Sequence, residues 1–378
     1  MTILARNKIK DLKPYEPGKP IKELSREFGI KESDIIKLAS NENPLGPSPK
    51  ALKAIIKAAA EVNRYPDGSS FYLKKKLAEN LKTKPENLVF GNGSDELIEV
   101  IIKAFLEEDE EVIISEPAFL EYSILVKTRG SKVKTVPALG PDYLREQLGS
   151  KVFEYDLKGI LSAITSKTKI IFLGNPDNPT GAYLNEKELD FFLKKCPKKV
   201  IVVFDEAYRE FVDWPDYSNP FNYIDNKNVI VLRTFSKVYG LAGLRVGYAI
   251  ADKELAAYME RVRQPFNVNL LAQAAAEAAI SDKAHLKNTQ KLVKEEKEIM
   301  ETSLKQMGMD VIITPANFLL FSCAGLKGTD IFKKLLKYGV IIRDMKAYGL
   351  KKWVRVNIGT QSENKRFLET LSLIIKKS

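Results

Sequence analysis

The chain has 378 residues, with 60 Lys and Arg against 49 Asp and Glu, one histidine, two cysteines and a formal net charge of +11. That length is enough for a large domain and a smaller second one, and no run of about 18 apolar residues offers a membrane-spanning helix. The basic excess is not gathered into a stripe. Lysines alternate with glutamates, as in Lys291-Leu-Val-Lys-Glu-Glu-Lys-Glu298, a pattern of solvated helix faces rather than of a nucleic-acid surface. The single histidine, His285, lies in such a stretch, reads as a surface residue and cannot build a histidine-rich metal site. Cys196 and Cys323 are widely separated, which points to a reducing compartment and no disulfide framework. The first ten residues lack an export signature, so the expected location is the cytoplasm.

In chain order, residues 1–45 form an arm punctuated by Pro14, Pro17, Pro20 and Pro44. From 46 to 263 strand-like runs alternate with helical ones, the clearest strands being 111–114, 133–136, 169–173, 199–204, 229–232 and 246–250. This alternation predicts an α/β fold, a mostly parallel sheet flanked by helices on both faces. An alanine-rich stretch from Leu270 to Ile280 is expected to start one long helix continuing to about Met307. Strand-like runs at Phe318–Ser322, Val340–Arg343 and Val354–Ile358, separated by helical pieces, complete a small α+β domain over 264–378.

Four segments carry chemistry. Val89-Phe-Gly-Asn-Gly-Ser-Asp-Glu-Leu-Ile-Glu-Val-Ile-Ile-Lys103 reads as strand, glycine turn and amphipathic helix. Its first turn, at Ser94, Asp95 and Glu96, would present free N–H groups to an anion. It lacks the third glycine of a dinucleotide fingerprint. Lys169-Ile-Ile-Phe-Leu-Gly-Asn-Pro-Asp-Asn-Pro-Thr-Gly181 is a buried strand and a turn that offers the amide of Asn178. Lys198-Lys-Val-Ile-Val-Val-Phe-Asp205-Glu-Ala-Tyr208 is a buried strand with a carboxylate at its carboxyl end, where open α/β sheets bind ligands. There Asp205 could pair with a protonated ring nitrogen while Tyr208 donates to a ring hydroxyl. Arg233-Thr-Phe-Ser-Lys-Val-Tyr-Gly-Leu-Ala-Gly-Leu-Arg245 sets Lys237 beside Ser236 and Arg245. An amine that reacts near neutral pH needs burial and a neighbouring cation, and a phosphate-bearing aldehyde needs both an amine and an anion site. Each segment has a bland alternative, Asp205 as a helix N-cap and Asn178 as turn chemistry among them. Their joint occurrence favours the chemical reading.

With Lys37-Leu-Ala-Ser-Asn-Glu-Asn-Pro-Leu-Gly-Pro-Ser-Pro49, Arg64-Tyr-Pro-Asp67 and Trp353-Val-Arg-Val-Asn-Ile-Gly359, these motifs run nearly end to end. The chain resembles the fold-type I pyridoxal-phosphate aminotransferases of class I/II, and within them those that act on histidinol phosphate. The resemblance implies a large cofactor-binding domain over 46–263, a small C-terminal domain over 264–378 and an N-terminal arm that packs with the small domain. It implies pyridoxal 5'-phosphate as cofactor, with Lys237 as the amine that bonds it and then moves a proton, Asp205 facing the ring nitrogen, and Tyr208 and Asn178 at the ring oxygen. Ser94, Asp95, Thr234, Ser236 and Arg245 match the segments around the cofactor phosphate. Phe119 matches the aromatic that stacks on the ring, where many relatives carry tyrosine. Tyr65 matches a tyrosine that reaches the neighbouring subunit's phosphate, which implies a homodimer. Asp177 stands where asparagine is common, with little consequence expected. Arg355 matches a carboxylate clamp, and Tyr15 and Arg343 match residues near the substrate phosphate; a surface ion pair is the alternative for Arg343. The implied reaction converts L-histidinol phosphate and 2-oxoglutarate to imidazole acetol phosphate and glutamate. The alternatives are an aromatic amino-acid aminotransferase, a decarboxylase of a phosphorylated amino acid, and a non-catalytic regulator on the same fold.

Overall fold

The computed structural model describes residues 6–10, 12–140, 144–145, 150–226, 228–322 and 325–376; Cys323 lies outside them. The arm carries α1 (Ile21–Phe28) and β1 (Ile36–Lys37), and is followed by α2 (Pro49–Ala58) and α3 (Phe71–Leu81). The central region then alternates as β2 (Leu88–Gly91), α4 (Ser94–Phe105), β3 (Glu111–Glu116), α5 (Leu120–Arg129), β4 (Lys132–Pro137), a small pair β5 (Leu144–Arg145) and β6 (Ser150–Lys151), and α6 (Leu157–Ala163). It continues through β7 (Thr168–Gly174), α7 (Glu186–Lys195), β8 (Ile201–Asp205), β9 (Val229–Thr234), β10 (Gly247–Ala251) and α8 (Lys253–Val262).

Seven of these strands form one sheet in the order β2-β10-β9-β8-β7-β3-β4. The pairs β4–β3, β3–β7, β7–β8 and β8–β9 are parallel, and β10 is antiparallel to both β9 and β2. The sheet is therefore mostly parallel. Of its central strands β8 and β9 are buried along their whole length and β7 at every residue but the half-buried Lys169, as expected where helices cover both faces. The two-residue period of the strands sorts their side chains onto opposite faces. Ile171, Leu173, Val202, Phe204 and Val231 join one core, while Ile170, Phe172, Val203, Ile230 and Leu232 join the other.

The register brings the carboxyl ends together: Gly174 lies opposite Asp205, Asp205 opposite Leu232, and Gly247 opposite both Thr234 and Gly91. The connections at that edge bear the motif residues. Gly247 is required there, because a Cβ on it would sit 2.6 Å from the backbone nitrogen of Ser94.

Beyond 263 the single long helix expected from the sequence is two helices, α9 (Leu270–Ile280) and α10 (Lys283–Gln306). The break falls at Ser281-Asp282, where the Asp282 side chain accepts from the His285 N–H as the N-cap of α10; aspartate favours such caps over helix interiors. The alanines of α9, Ala272, Ala275, Ala276 and Ala279, are buried, and the helix packs against α2 and α3. His285 is half-buried rather than a free surface group, and its Nε2 lies 3.1 Å from the Gly46 carbonyl oxygen.

The C-terminal part holds β11 (Asp310–Ile312), β12 (Phe318–Ser322), α11 (Gly328–Leu336), β13 (Val340–Ile341), β14 (Arg343–Asp344), β15 (Trp353–Asn357) and α12 (Gln361–Lys376). Strands β11-β12-β15-β14 form an antiparallel sheet. The strand expected over 340–343 is divided: β13 pairs in parallel with β1 of the arm, and β14 pairs with β15. Its two halves are claimed by different partners, which sequence periodicity does not report. No helix among the described residues is long and apolar enough to cross a membrane.

Candidate active site

A cavity of about 340 Å³ opens at the carboxyl ends of β7, β8 and β9, between the large sheet, the arm and β15. Every nominated site residue except Tyr65 lines it: Tyr15, Ser94, Asp95, Phe119, Asn178, Asp205, Tyr208, Thr234, Ser236, Lys237, Arg245, Arg343 and Arg355. Tyr65 is 83% exposed and stacks on Phe266 at 4.8 Å between ring centroids. It takes no part in the cavity of its own chain.

One end of the cavity is built for an anion. Helix α4 begins at Ser94, and its uncapped first turn faces the cavity behind Gly93, whose φ is +85°. A side chain at Gly93 would collide with the Arg245 guanidinium. Arg245 donates to Asp95 Oδ2 at 2.8 Å and approaches the Ser236 hydroxyl at 3.4 Å. The Ser236 N–H donates to Thr234 Oγ1 at 3.1 Å. Helix N–H groups, hydroxyls and a guanidinium held by one carboxylate make an oxyanion cradle. Glu96, also in that first turn, is committed elsewhere, accepting from the Asn92 N–H and from Asn267 Nδ2, each at 2.6 Å.

The other end holds a buried lysine and a buried carboxyl. Lys237 Nζ donates to the Ser40 carbonyl at 3.1 Å and lies 5.6 Å from the Tyr208 ring centroid. Burial first, then the nearby Arg355 and Arg245 charges, pull its ammonium down to about 8. Asp205 accepts from the Tyr122 hydroxyl at 2.8 Å and from the Ala207 N–H at 3.1 Å. Burial raises its carboxyl to about 6, against the lowering effect of those hydrogen bonds and, more weakly, of Lys237. No cation is hydrogen-bonded to Asp205 among the described residues. Its acceptors remain suited to a cationic N–H. The Tyr208 hydroxyl accepts from Asn41 Nδ2 at 2.9 Å, and burial pushes it up to about 12. Phe119 forms an edge contact with Tyr122 at 5.7 Å.

Toward β15 and the arm, Arg355 is 5% exposed and donates to Asn178 Oδ1 and, at 2.9 Å, to the Ala39 carbonyl, while its Nε is buried without a partner among the described residues. Arg343 has no ion pair among the described residues: it donates to the Glu16 carbonyl at 2.7 Å and lies 5.8 Å from the Tyr15 ring centroid. Burial raises the Tyr15 hydroxyl to about 12, against the lowering effect of both arginines. Asp177 is buried and accepts from the Thr180 hydroxyl at 2.6 Å. Burial, with a further push from Asp205, takes its carboxyl up to about 7. It is thus a second buried acid, in the turn that follows β7.

Sequence reasoning did not single out Tyr122, the partner of Asp205, or Asn41, the partner of Tyr208. Tyr122 stands three residues after Phe119 at the start of α5, so helical spacing placed it on the same face. Asn41 is a polar residue in a tight motif between two apolar runs, with a left-handed φ of 55°.

A mostly parallel seven-stranded sheet with a buried lysine and carboxylate at its carboxyl edge, joined to a small α+β domain, is the fold-type I architecture of pyridoxal-phosphate-dependent aminotransferases. The chain belongs to the aminotransferase class I and II family, whose model matches residues 33–371. It is 42% identical over 372 residues to a histidinol-phosphate aminotransferase of Moorella thermoacetica, covering 98% of this chain and 92% of that protein. It is 43% identical over 371 residues to one of Akkermansia muciniphila, covering 98% of both. The solved histidinol-phosphate aminotransferase of Sinorhizobium meliloti, in complex with pyridoxal-5'-phosphate, superposes with a TM-score of 0.88 at 28% identity, covering 100% of this chain and 99% of that one.

Proposed function

We propose that this protein transfers the amino group of L-histidinol phosphate to 2-oxoglutarate, giving imidazole acetol phosphate and glutamate, with pyridoxal 5'-phosphate as cofactor. The observation that carries this is a single cavity holding a low-pKa lysine, a buried carboxylate without a cation, an oxyanion cradle and, opposite it, a second cationic end at Arg343 and Arg355. Two separate anion sites suit a phosphorylated cofactor together with a phosphorylated substrate. The relatives from Moorella thermoacetica and Akkermansia muciniphila are histidinol-phosphate aminotransferases, which supports this donor.

The donor set fits the cofactor. Ser94, Thr234, Ser236 and Arg245, with Asp95 holding the guanidinium, would take its phosphate. Asp205 would face its ring nitrogen, Tyr208 and Asn178 its ring oxygen, and Phe119 its face. When bound, pyridoxal phosphate supplies an aldehyde for the amino group and a ring that accepts the electron pair left on the substrate carbon. Lys237 is the amine that holds the cofactor and, once freed, the base that moves the proton at that carbon. The Asp205 charge keeps the ring nitrogen protonated. Tyr15 and Arg343 would bind the substrate phosphate, and Arg355 the carboxylate of glutamate.

The arm, the large part over 46–263 and the small part over 264–378 would act as three units, with substrate bound between them. A second copy of the chain completes the site in this reading. The region around α2 and α3 exposes Leu52, Ile56, Val62, Tyr65, Phe71 and Tyr72, large apolar and aromatic side chains of the kind a partner covers. Tyr65 would reach the phosphate cradle of that copy. The dispersed cysteines suit a cytoplasmic enzyme.

The test is a donor panel on purified protein with 2-oxoglutarate: histidinol phosphate should exceed phenylalanine in kcat/KM by orders of magnitude. Preference for phenylalanine would overturn the substrate assignment. Light scattering should give the mass of a dimer, and a monomeric active enzyme would remove Tyr65 from the site.

A further inference from the structure

Asn41 is 1% exposed, and its backbone is tied on both sides. Its N–H donates to Asn357 Oδ1 at 3.1 Å, and its carbonyl accepts from Asn317 Nδ2 at 3.1 Å. Both partners are buried and belong to the C-terminal sheet region, Asn357 ending β15 and Asn317 preceding β12. The left-handed φ of 55° is one that asparagine tolerates better than most residues. So anchored, the side chain has little freedom, and its Nδ2 donates to the Tyr208 hydroxyl at 2.9 Å. Its Oδ1 is buried without a partner among the described residues, so the amide is not there to satisfy itself.

A phenol has one proton to give and two lone pairs to receive. With Asn41 donating into the oxygen, the Tyr208 proton must turn elsewhere, and no hydrogen bond donated by Tyr208 occurs among the described residues. Of the charged groups nearby, Lys237 and Arg355 are donors themselves in their cationic forms, and the two carboxylates that act on the hydroxyl, Asp205 and Asp177, accept from Tyr122 and Ala207 and from Thr180 rather than from Tyr208. Among the described residues none accepts that proton, and the cavity, which Asn41 and Tyr208 both line, has room for an acceptor.

We propose that Asn41 is a positioning residue that commits the Tyr208 hydroxyl to donating into the cavity, onto the anionic ring oxygen of the bound cofactor. This rests on the reading of the cavity as a pyridoxal-phosphate site. An amide donor at position 41 is then essential in kind. An acceptor there would capture the phenolic proton and withdraw it from the ring oxygen. The tether to Asn317 and Asn357 gives the C-terminal sheet a direct hold on a cofactor contact made from β8.

The experiment follows the visible absorbance of the cofactor-loaded protein against pH in wild type, Tyr208→Phe, Asn41→Asp, Asn41→Ala and the double variant Asn41→Asp/Tyr208→Phe. A donor to the ring oxygen favours the deprotonated form of the lysine-bound cofactor, so its loss raises the spectral midpoint. Tyr208→Phe should raise it by about one unit or more. Asn41→Asp should raise it in the same direction by at least about half as much, and the double variant should match Tyr208→Phe, because both changes remove the same hydrogen bond. Asn41→Ala, which removes the donor without adding an acceptor, should give a smaller rise and keeps the test open if the aspartate variant does not fold. A wild-type midpoint in the folded Asn41 variants, or a double variant showing the two shifts added, overturns the inference and leaves the cofactor site standing. Absence of any visible cofactor absorbance in the wild-type protein overturns both.

Discussion

Two carboxylates stand side by side at the end of β8 and lead opposite lives. Glu206 is fully buried and bound by a guanidinium: Arg233 donates to its Oε2 through Nε at 2.9 Å and approaches through Nη2 at 2.8 Å, and the Tyr217 hydroxyl donates to Oε1 at 3.0 Å. Asp205 is nearly as buried, yet its partners are a phenol and a backbone amide. The strand's two-residue alternation sends one side chain into the cavity and the other behind it. A buried carboxylate with its cation in place is a structural element. One held only by neutral donors is poised for a cation that comes with the ligand. What separates a framework acid from a reactive one here is the partner, not the depth.

The largest effect that bears on this contrast is at the amine facing Asp205. Lys237→Ala should abolish the visible absorbance of bound cofactor and lower single-turnover rate by about 10⁴-fold or more, since covalent and proton-transfer roles vanish together. Near-normal turnover would mean the reactive amine lies elsewhere.

Next come the two carboxylates themselves. Asp205→Asn should fold, bind cofactor more weakly and lower kcat by about 10²–10³-fold, because charge rather than shape holds the ring proton. Glu206→Gln should instead leave Arg233 buried and unpaired, costing roughly 3 kcal/mol of stability, seen as a lower Tm, with kcat of the folded fraction changed only a few-fold. Interchanged phenotypes would erase the distinction drawn between them.

A step smaller is Arg343→Ala, which should reduce kcat/KM for histidinol phosphate by about 100-fold, a charge-assisted contact of roughly 3 kcal/mol. Phenylalanine, with no phosphate, should lose much less. Equal losses would place Arg343 outside the phosphate contact.

The pH dependences follow from the same burial. Cofactor capture needs the unprotonated Lys237 amine, so its rate should climb with pH and level above about 8. For stability, the Asp205 carboxyl sits at about 6 in the folded unloaded chain against an ordinary 3.8. Between those values the folded chain binds more protons than the unfolded one. Stability therefore falls as pH rises through that window, and the full cost persists above it. Cofactor-free Asp205→Asn should accordingly melt a few degrees above cofactor-free wild type at pH 7.5, with the gap closing toward pH 4. A wild type that melts higher at pH 7.5 would show Asp205 already satisfied without a ligand.

The sequence by itself determined the strands β7, β8 and β9, because continuous Val, Ile and Phe runs have few alternatives to a doubly covered sheet. It also determined which segments bear chemistry, because an acid, a turn amide or a lysine at a strand's carboxyl end is visible in the chain itself. The tertiary structure decided the partners. Asp205 meets Tyr122 across 83 positions, Tyr208 meets Asn41 across 167, and Asn178 meets Arg355 across 177. It also decided where the helix predicted over 270–307 stops and how the strand predicted over 340–343 divides. Local periodicity records which face of an element is apolar, whereas a hydrogen-bond partner, and with it the pKa of a buried group, depends on what long-range packing brings against that face.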